Sequence, residues 1–240
     1  MFKVLILIFL SLLIHPQLGF AMHIAEGILP FNWALFWWLC FLVILALSLK
    51  NLTSLLKEDS TKKVLFAFIT ALVFLLSMIP IPVPFAGTCS HPVGVGVGVF
   101  VLGLSGSIVA GFIVLLLQAL LLAHGGLSSL GANAFAMAIM GSLSAYLIIL
   151  IFKRTSFPLY LKAFLSGLLA DWFTYATTAL QLSLALKGDE PLLGLYLKVI
   201  LAFIPTQLPL GILEGVITAS LVTAMAKRRR DLLLPKALNF

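Results

Sequence analysis

The chain holds four histidines and eight acidic residues among 240, and what chemistry it can do depends on which of them meet. His23 lies in the stretch "GFAMHIAEG", where an apolar leader gives way to the first long apolar segment. A cut after Ala21 would make Met22 the terminus and His23 the second residue. The free amine of Met22, the backbone nitrogen of His23 and its Nδ1 can then close adjacent chelate rings around one metal ion, so two residues supply three nitrogens. One more imidazole completes a square. Tetragonal nitrogen coordination suits Ni(II) or Cu(II), and imidazole is a good donor to such borderline ions, whereas Mg or Ca would want oxygen. His91 is the natural fourth donor. The peptide nitrogen must lose its proton, and so must the α-amine, whose reference pKa is about 7.7–8.0, so affinity is expected to rise with pH.

The surroundings of His91 suit a ligand. "IPIPVPFAGTCSHPVGVGVG" stops the preceding helix with three prolines, makes a polar turn that includes Ser90, and then runs through Pro92 into alternating glycines that let backbone approach backbone. Cys89 is a rival soft donor two residues away, although a small buried cysteine is the commoner case. Glu26, three residues beyond His23, either accepts a hydrogen bond from a ligand histidine, fixing the ring, or anchors the start of the mature chain. Ser90, and His124 and Asn133 in "HGGLSSLGAN", are expected as further supports on the same face. Asp171 and Glu214 lie inside apolar runs, where a carboxylate facing lipid costs about 2.5–3.5 kcal/mol. They should therefore face the protein interior, supporting a cation or a partner, or simply hydrogen-bonded to each other, to Asn133, to Gln207 or to a hydroxyl.

The elements that must position these residues are membrane helices. With 62% hydrophobic and 10% charged residues and a mean hydropathy of +1.20, the chain has too little polar surface to cover a soluble globule. Its Leu/Ile/Val/Ala/Phe runs lack the alternation of barrel strands, so the fold class is an all-α membrane protein. The net charge of +7 does not indicate nucleic acid, because the basic residues fall in short loops and near the C-terminus, where topology explains them. Cys40 and Cys89 give no disulfide framework.

Residues 1–21 have the parts of a cleavable signal peptide: Lys3, the apolar "VLILIFLSLLI", and small residues Gly19 and Ala21 before the cut. Residues 22–240 then form one membrane domain. Apolar segments at 31–49, 64–81, 92–104, 106–123, 131–152, 159–187 and 192–226 predict a seven-helix bundle with external N-terminus and cytoplasmic C-terminus. This places Lys50, Lys57, Lys62, Lys63, Lys153, Arg154, Lys162, Lys227, Arg228, Arg229, Arg230 and Lys236 inside, leaving only Lys187 in an external loop. Treating 92–123 as one crossing would put "KRRR" outside, so a break is expected near "GLSGS", at Gly103, Ser105 and Gly106. In this topology His23, His91 and His124 share the external face.

"MHIAEGILP", "GTCSHPVGVGVG", "HGGLSSLGAN" and "PLGILEG" together resemble the CbiM/NikM family, the substrate-binding membrane components of energy-coupling-factor (ECF) transporters for cobalt and nickel. The resemblance covers essentially the whole chain after the leader. It implies a seven-helix component that buries its N-terminus and binds one divalent ion through a terminal amine, the second residue's amide and imidazole, and a loop histidine; these roles fall on Met22, His23 and His91. It implies Co2+ or Ni2+ as the transported substrate and residence in a bacterial or archaeal cell membrane. The implied partners are a transmembrane coupling protein, cytoplasmic ATPase subunits and a small accessory membrane subunit. The chain itself has no Gly-x-x-x-x-Gly-Lys-Ser/Thr loop for nucleotide. Two departures stand out: many members begin at the Met-His itself, without a leader, and Val93 occupies a position where a hydroxyl residue is common.

Two other classes fit parts of the pattern. An ion-coupled secondary transporter would use Asp171 and Glu214 as a relay, but no inverted sequence repeat is evident. An intramembrane metal hydrolase would hold zinc with histidines, but it lacks a His-Glu-x-x-His helix, and a closed four-nitrogen site leaves no position for a reactive water.

Overall fold

The computed structural model describes residues 20–21, 23–58, 60–78, 81–83 and 88–238. Met22 and all of the leader except Phe20 and Ala21 lie outside them, and Ser90 and Cys89 are described by their backbone alone. Six helices dominate: α1 (Phe31–Glu58), α2 (Ser60–Ser77), α3 (Val95–Leu121), α4 (Leu130–Ile151), α5 (Leu159–Leu186) and α6 (Leu192–Arg228). Prolines precede three of them. Pro158 and Pro191 stand at the N-caps of α5 and α6, and the carbonyl of Pro30 accepts the amides of Trp33 and Ala34 at 2.9 and 3.0 Å. Proline costs nothing at these positions, because the first amides of a helix have no partner within it. Within α4, Phe135–Gly141 is wound as a π-helix, a form frequently found at functional sites.

By length and composition α1, α3, α4 and α6 can each cross a membrane. α1 and α6 expose large apolar side chains such as Phe31, Leu39, Val43, Leu193 and Leu201, as helices facing hydrocarbon do. α3 and α4 are mostly buried. The protein is thus a multi-pass membrane protein built around α3.

α3 is not one straight helix. In a straight helix residues 95 and 107 would be about 18 Å apart, yet the Ser107 hydroxyl donates to the carbonyl of Val95 at 3.1 Å. The chain reverses at Gly103, whose φ of 71° and ψ of −177° belong to a region open essentially to glycine alone. Residues 95–102 and 104–121 are therefore antiparallel arms. They touch so closely that a Cβ on Gly98 would lie 2.8 Å from the hydroxyl oxygen of Ser107. Ser105 and Gly106 begin the return arm, and Ser105 accepts the Asn51 side-chain amide at 3.3 Å. Among the described residues the helix count is thus one below the seven segments expected, because two of those segments are the arms of α3.

The two ends of the bundle differ in charge. Near the tip of α3, Leu234 donates its amide to the carbonyl of Phe100 at 2.9 Å. At this end Lys62, just after the α1–α2 junction, and Arg229, in the basic run 227–230, line one cavity together with Leu52, Leu102 and Leu234. At the opposite end, where the histidines lie, stand Lys187 and Lys198. Lys198 lies in the first turns of α6 and pairs with Glu190 at 2.8 Å.

Three short strands, β1 (Phe20–Ala21), β2 (Ile81–Val83) and β3 (Thr88–Ser90), form a small sheet in the order β1-β3-β2. β1 runs parallel to β3, with Phe20 opposite Thr88 and Ala21 opposite Cys89. His23 and His91 each lie two residues beyond the pair Ala21–Cys89.

Candidate metal centre

Three segments converge at the end of the bundle away from the basic run. His23 follows β1, His91 follows β3, and His124 follows the return arm of α3. His23 and His91 are buried, and their Nε2 atoms are 3.1 Å apart. The His124 ring centroid is 5.0 Å from that of His23 and 5.2 Å from that of His91. One nitrogen from each ring lies within 4.8 Å of the others, a spacing that could hold a metal ion.

The remaining ring nitrogens have defined partners. Nδ1 of His91 is 3.0 Å from the carbonyl of Pro92. A carbonyl only accepts, so Nδ1 carries the proton and Nε2 keeps its lone pair. Nε2 of His23 is 3.1 Å from Oε1 of Gln118, which places the proton on Nε2 and leaves Nδ1 as the donor nitrogen. Gln118 is itself held, its amide nitrogen donating to the hydroxyl of Ser77 at 2.8 Å and to the Ser77 carbonyl at 3.3 Å. Gln118 and Ser77 were not singled out from the sequence. A lone amide in the apolar run "LLLQALLL" was the available signal, since a buried polar group in a membrane segment needs a partner.

Burial, followed by the neighbouring His91 and His124, holds the His23 imidazole well below its ordinary pKa. Burial, followed by His124, takes His91 down to about 3, against a smaller opposing effect of the Pro92 carbonyl. Burial also lowers His124. The three rings are therefore neutral near pH 7, the form that binds metal.

The supports act on the backbone around the rings. Asn133 brackets one residue, its Oδ1 accepting the amide of Ile24 at 2.8 Å and its Nδ2 donating to the Ile24 carbonyl at 3.1 Å. The Ser129 hydroxyl donates to the same carbonyl. Glu26 does not meet a histidine. Its carboxylate accepts the amide of Ser128 at 3.0 Å, and its hydrogen bonding to Ser128 lowers its pKa. Glu26 thus anchors the 124–129 loop to the segment carrying His23.

Glu214 reaches the site from α6. Its two oxygens accept the amides of Val93 and Gly94 at 2.9 and 2.7 Å, so it holds the chain two residues after His91. Asn133, one of the expected partners, is instead engaged with Ile24 and Ser129. Asp171 is buried near enough to Glu214 for the two carboxylates to act on each other electrostatically, and neither of its oxygens has a hydrogen-bond partner among the described residues.

The family described as "Cobalt uptake substrate-specific transmembrane region", CbiM, matches residues 23–232. The chain belongs to this family. Among its CbiM relatives, a cobalt transport protein of Geobacter sulfurreducens is 47% identical over 213 residues, covering 89% of this chain and 62% of that protein. The chain thus spans less than two thirds of that relative's length. A cobalt transport protein of Sorangium cellulosum is 43% identical over 212 residues, covering 88% of this chain and 94% of that protein. The crystal structure of a truncated transition metal transporter superposes with a TM-score of 0.72 at 25% identity, covering 85% of this chain and 98% of that one.

Proposed function

We propose that this CbiM-family chain is the substrate-capture component of an ECF-type importer for divalent cobalt or nickel. The observation that carries the reading is the contact between His23 and His91, 68 residues apart in sequence, with the other polar contact of each ring already assigned to Gln118 or Pro92. Removal of residues 1–21 exposes the amine of Met22. That amine, the amide nitrogen and Nδ1 of His23, and Nε2 of His91 supply four nitrogens.

Capture then follows from the chemistry of these groups. A hydrated ion exchanges its water for nitrogen donors at a buried site, and Nε2 of His91 turns from the edge of the His23 ring toward an ion held on Nδ1. Gln118 keeps the His23 proton on the far side, and Glu214 holds the loop that delivers His91. Such partners fix ring orientation and raise ligand basicity.

Seven passes are supported by counting the arms of α3 separately. The basic run at the end opposite the histidines supports a cytoplasmic C-terminus and an external site. Energy comes from ATPase subunits bound through a coupling protein and a small accessory subunit, because the chain carries no phosphate-binding loop of its own.

Cobalt and nickel uptake into proteoliposomes tests this reading. Transport is expected only when the coupling protein, the ATPase subunits and ATP accompany the chain. Uptake by the chain alone, driven by an ion gradient, would show a secondary transporter instead.

A further inference from the structure

We propose that His124 is a fifth, axial ligand that makes the site favour cobalt over nickel. The inference rests on the four-nitrogen site of the preceding section and adds a donor to it. Nε2 of His124 is buried and has no hydrogen-bond partner among the described residues. A buried polar nitrogen without a partner is costly, and the ring that carries it lies 5.0 and 5.2 Å, centroid to centroid, from the His23 and His91 rings.

The backbone fixes where the ring sits. Ala123 has a φ of 49°, which turns the chain sharply at the end of α3, and the His124 amide then bonds back to the Gln118 carbonyl at 3.1 Å. Gln118 therefore holds two histidines, His23 through its side chain and His124 through its carbonyl. With metal–nitrogen bonds of about 2.0–2.1 Å, an axial donor and an in-plane donor at a right angle on one ion are about 2.9 Å apart. From separations within 4.8 Å, the rings need to close by up to about 2 Å.

The ring angles match an axial position. Chelation through its own amide and Nδ1 lays the His23 ring in the plane of the four nitrogens, whereas an axial imidazole stands perpendicular to that plane. The rings of His23 and His124 are inclined at 81°. His91 is not part of a chelate ring, so its plane is free to turn, and its 51° to His124 sets no limit.

The fifth donor discriminates between the two ions. In a strong planar nitrogen field Ni(II) has a filled d orbital along the axis, which repels an axial lone pair. Co(II) has that orbital half filled and accepts one. Geometry of this kind, rather than overall affinity, is how sites select among similar ions.

The test uses the metal-free protein beginning at Met22, titrated with Co2+ and with Ni2+ as the intact chain and as the His124→Ala, His124→Phe and His91→Ala variants. His124→Ala and His124→Phe are expected to lose cobalt affinity by about tenfold or more while nickel affinity changes by less than about threefold. Anaerobic electron paramagnetic resonance of the unsubstituted cobalt-loaded chain should show superhyperfine splitting from one axial nitrogen, a readout that requires no variant. Equal losses for both metals, or no axial splitting, would overturn the axial assignment and leave the four-nitrogen site standing. Normal binding of both metals by His91→Ala would instead remove the underlying site.

Discussion

Glu214 Oε1 accepts the amide of Gly94 at 2.7 Å, joining the middle of α6 to the loop that carries His91 across 120 residues of sequence. With Oε2 on Val93, one carboxylate satisfies two consecutive backbone amides at the start of α3. Glu214→Ala strands both amides in the interior at about 1–3 kcal/mol each. The expected result is a lower Tm in detergent and a metal affinity reduced about 10- to 100-fold by calorimetry, with Glu214→Gln falling between the parent and the alanine variant. An unchanged affinity in Glu214→Ala would show that loop position does not control the site.

Gln118→Leu removes the acceptor for His23 Nε2 while roughly keeping the volume of the side chain. Metal affinity is expected to fall about 10- to 100-fold, with the nickel absorption spectrum broadened as the His23 ring loses its fixed orientation. Ser77→Ala, one contact further out, should give a smaller loss. A Gln118→Leu variant with the spectrum and affinity of the parent would refute the orienting role.

His23→Ala and His91→Ala are each expected to abolish cobalt and nickel binding in equilibrium dialysis. Asp171→Asn should leave binding largely intact, since Asp171 touches none of the histidines.

The pH response separates imidazole from amine. An unfolded histidine titrates near 6.5, whereas folded His91 titrates at about 3 and His23 well below the ordinary value. The unfolded state therefore binds more protons below about pH 6.5, and stability present above that pH is lost as the pH falls toward the folded values. Thermal unfolding of the metal-free protein should show this fall. Metal affinity should rise between about pH 6.5 and 8.5, as the α-amine loses its proton. A flat affinity across that interval would exclude the amine as a ligand.

His23, His91 and His124 were legible in the sequence because histidine is scarce and a charge-balanced topology places all three on one face. The reversal in α3 was legible too, since charge required a break and Gly103 offered one. The partners were not. Gln118 meets His23 across 95 residues and Glu214 meets Val93 across 121, and nothing local in either helix specifies such contacts. Glu26 shows the converse: its nearness to His23 in sequence suggested a contact that the fold replaces with Ser128.

N-terminal sequencing of metal-loaded protein purified from membranes tests the central claim most directly. The account predicts a chain beginning Met22-His23-Ile24 that retains its bound ion. Metal-loaded protein beginning at Met1 would contradict it.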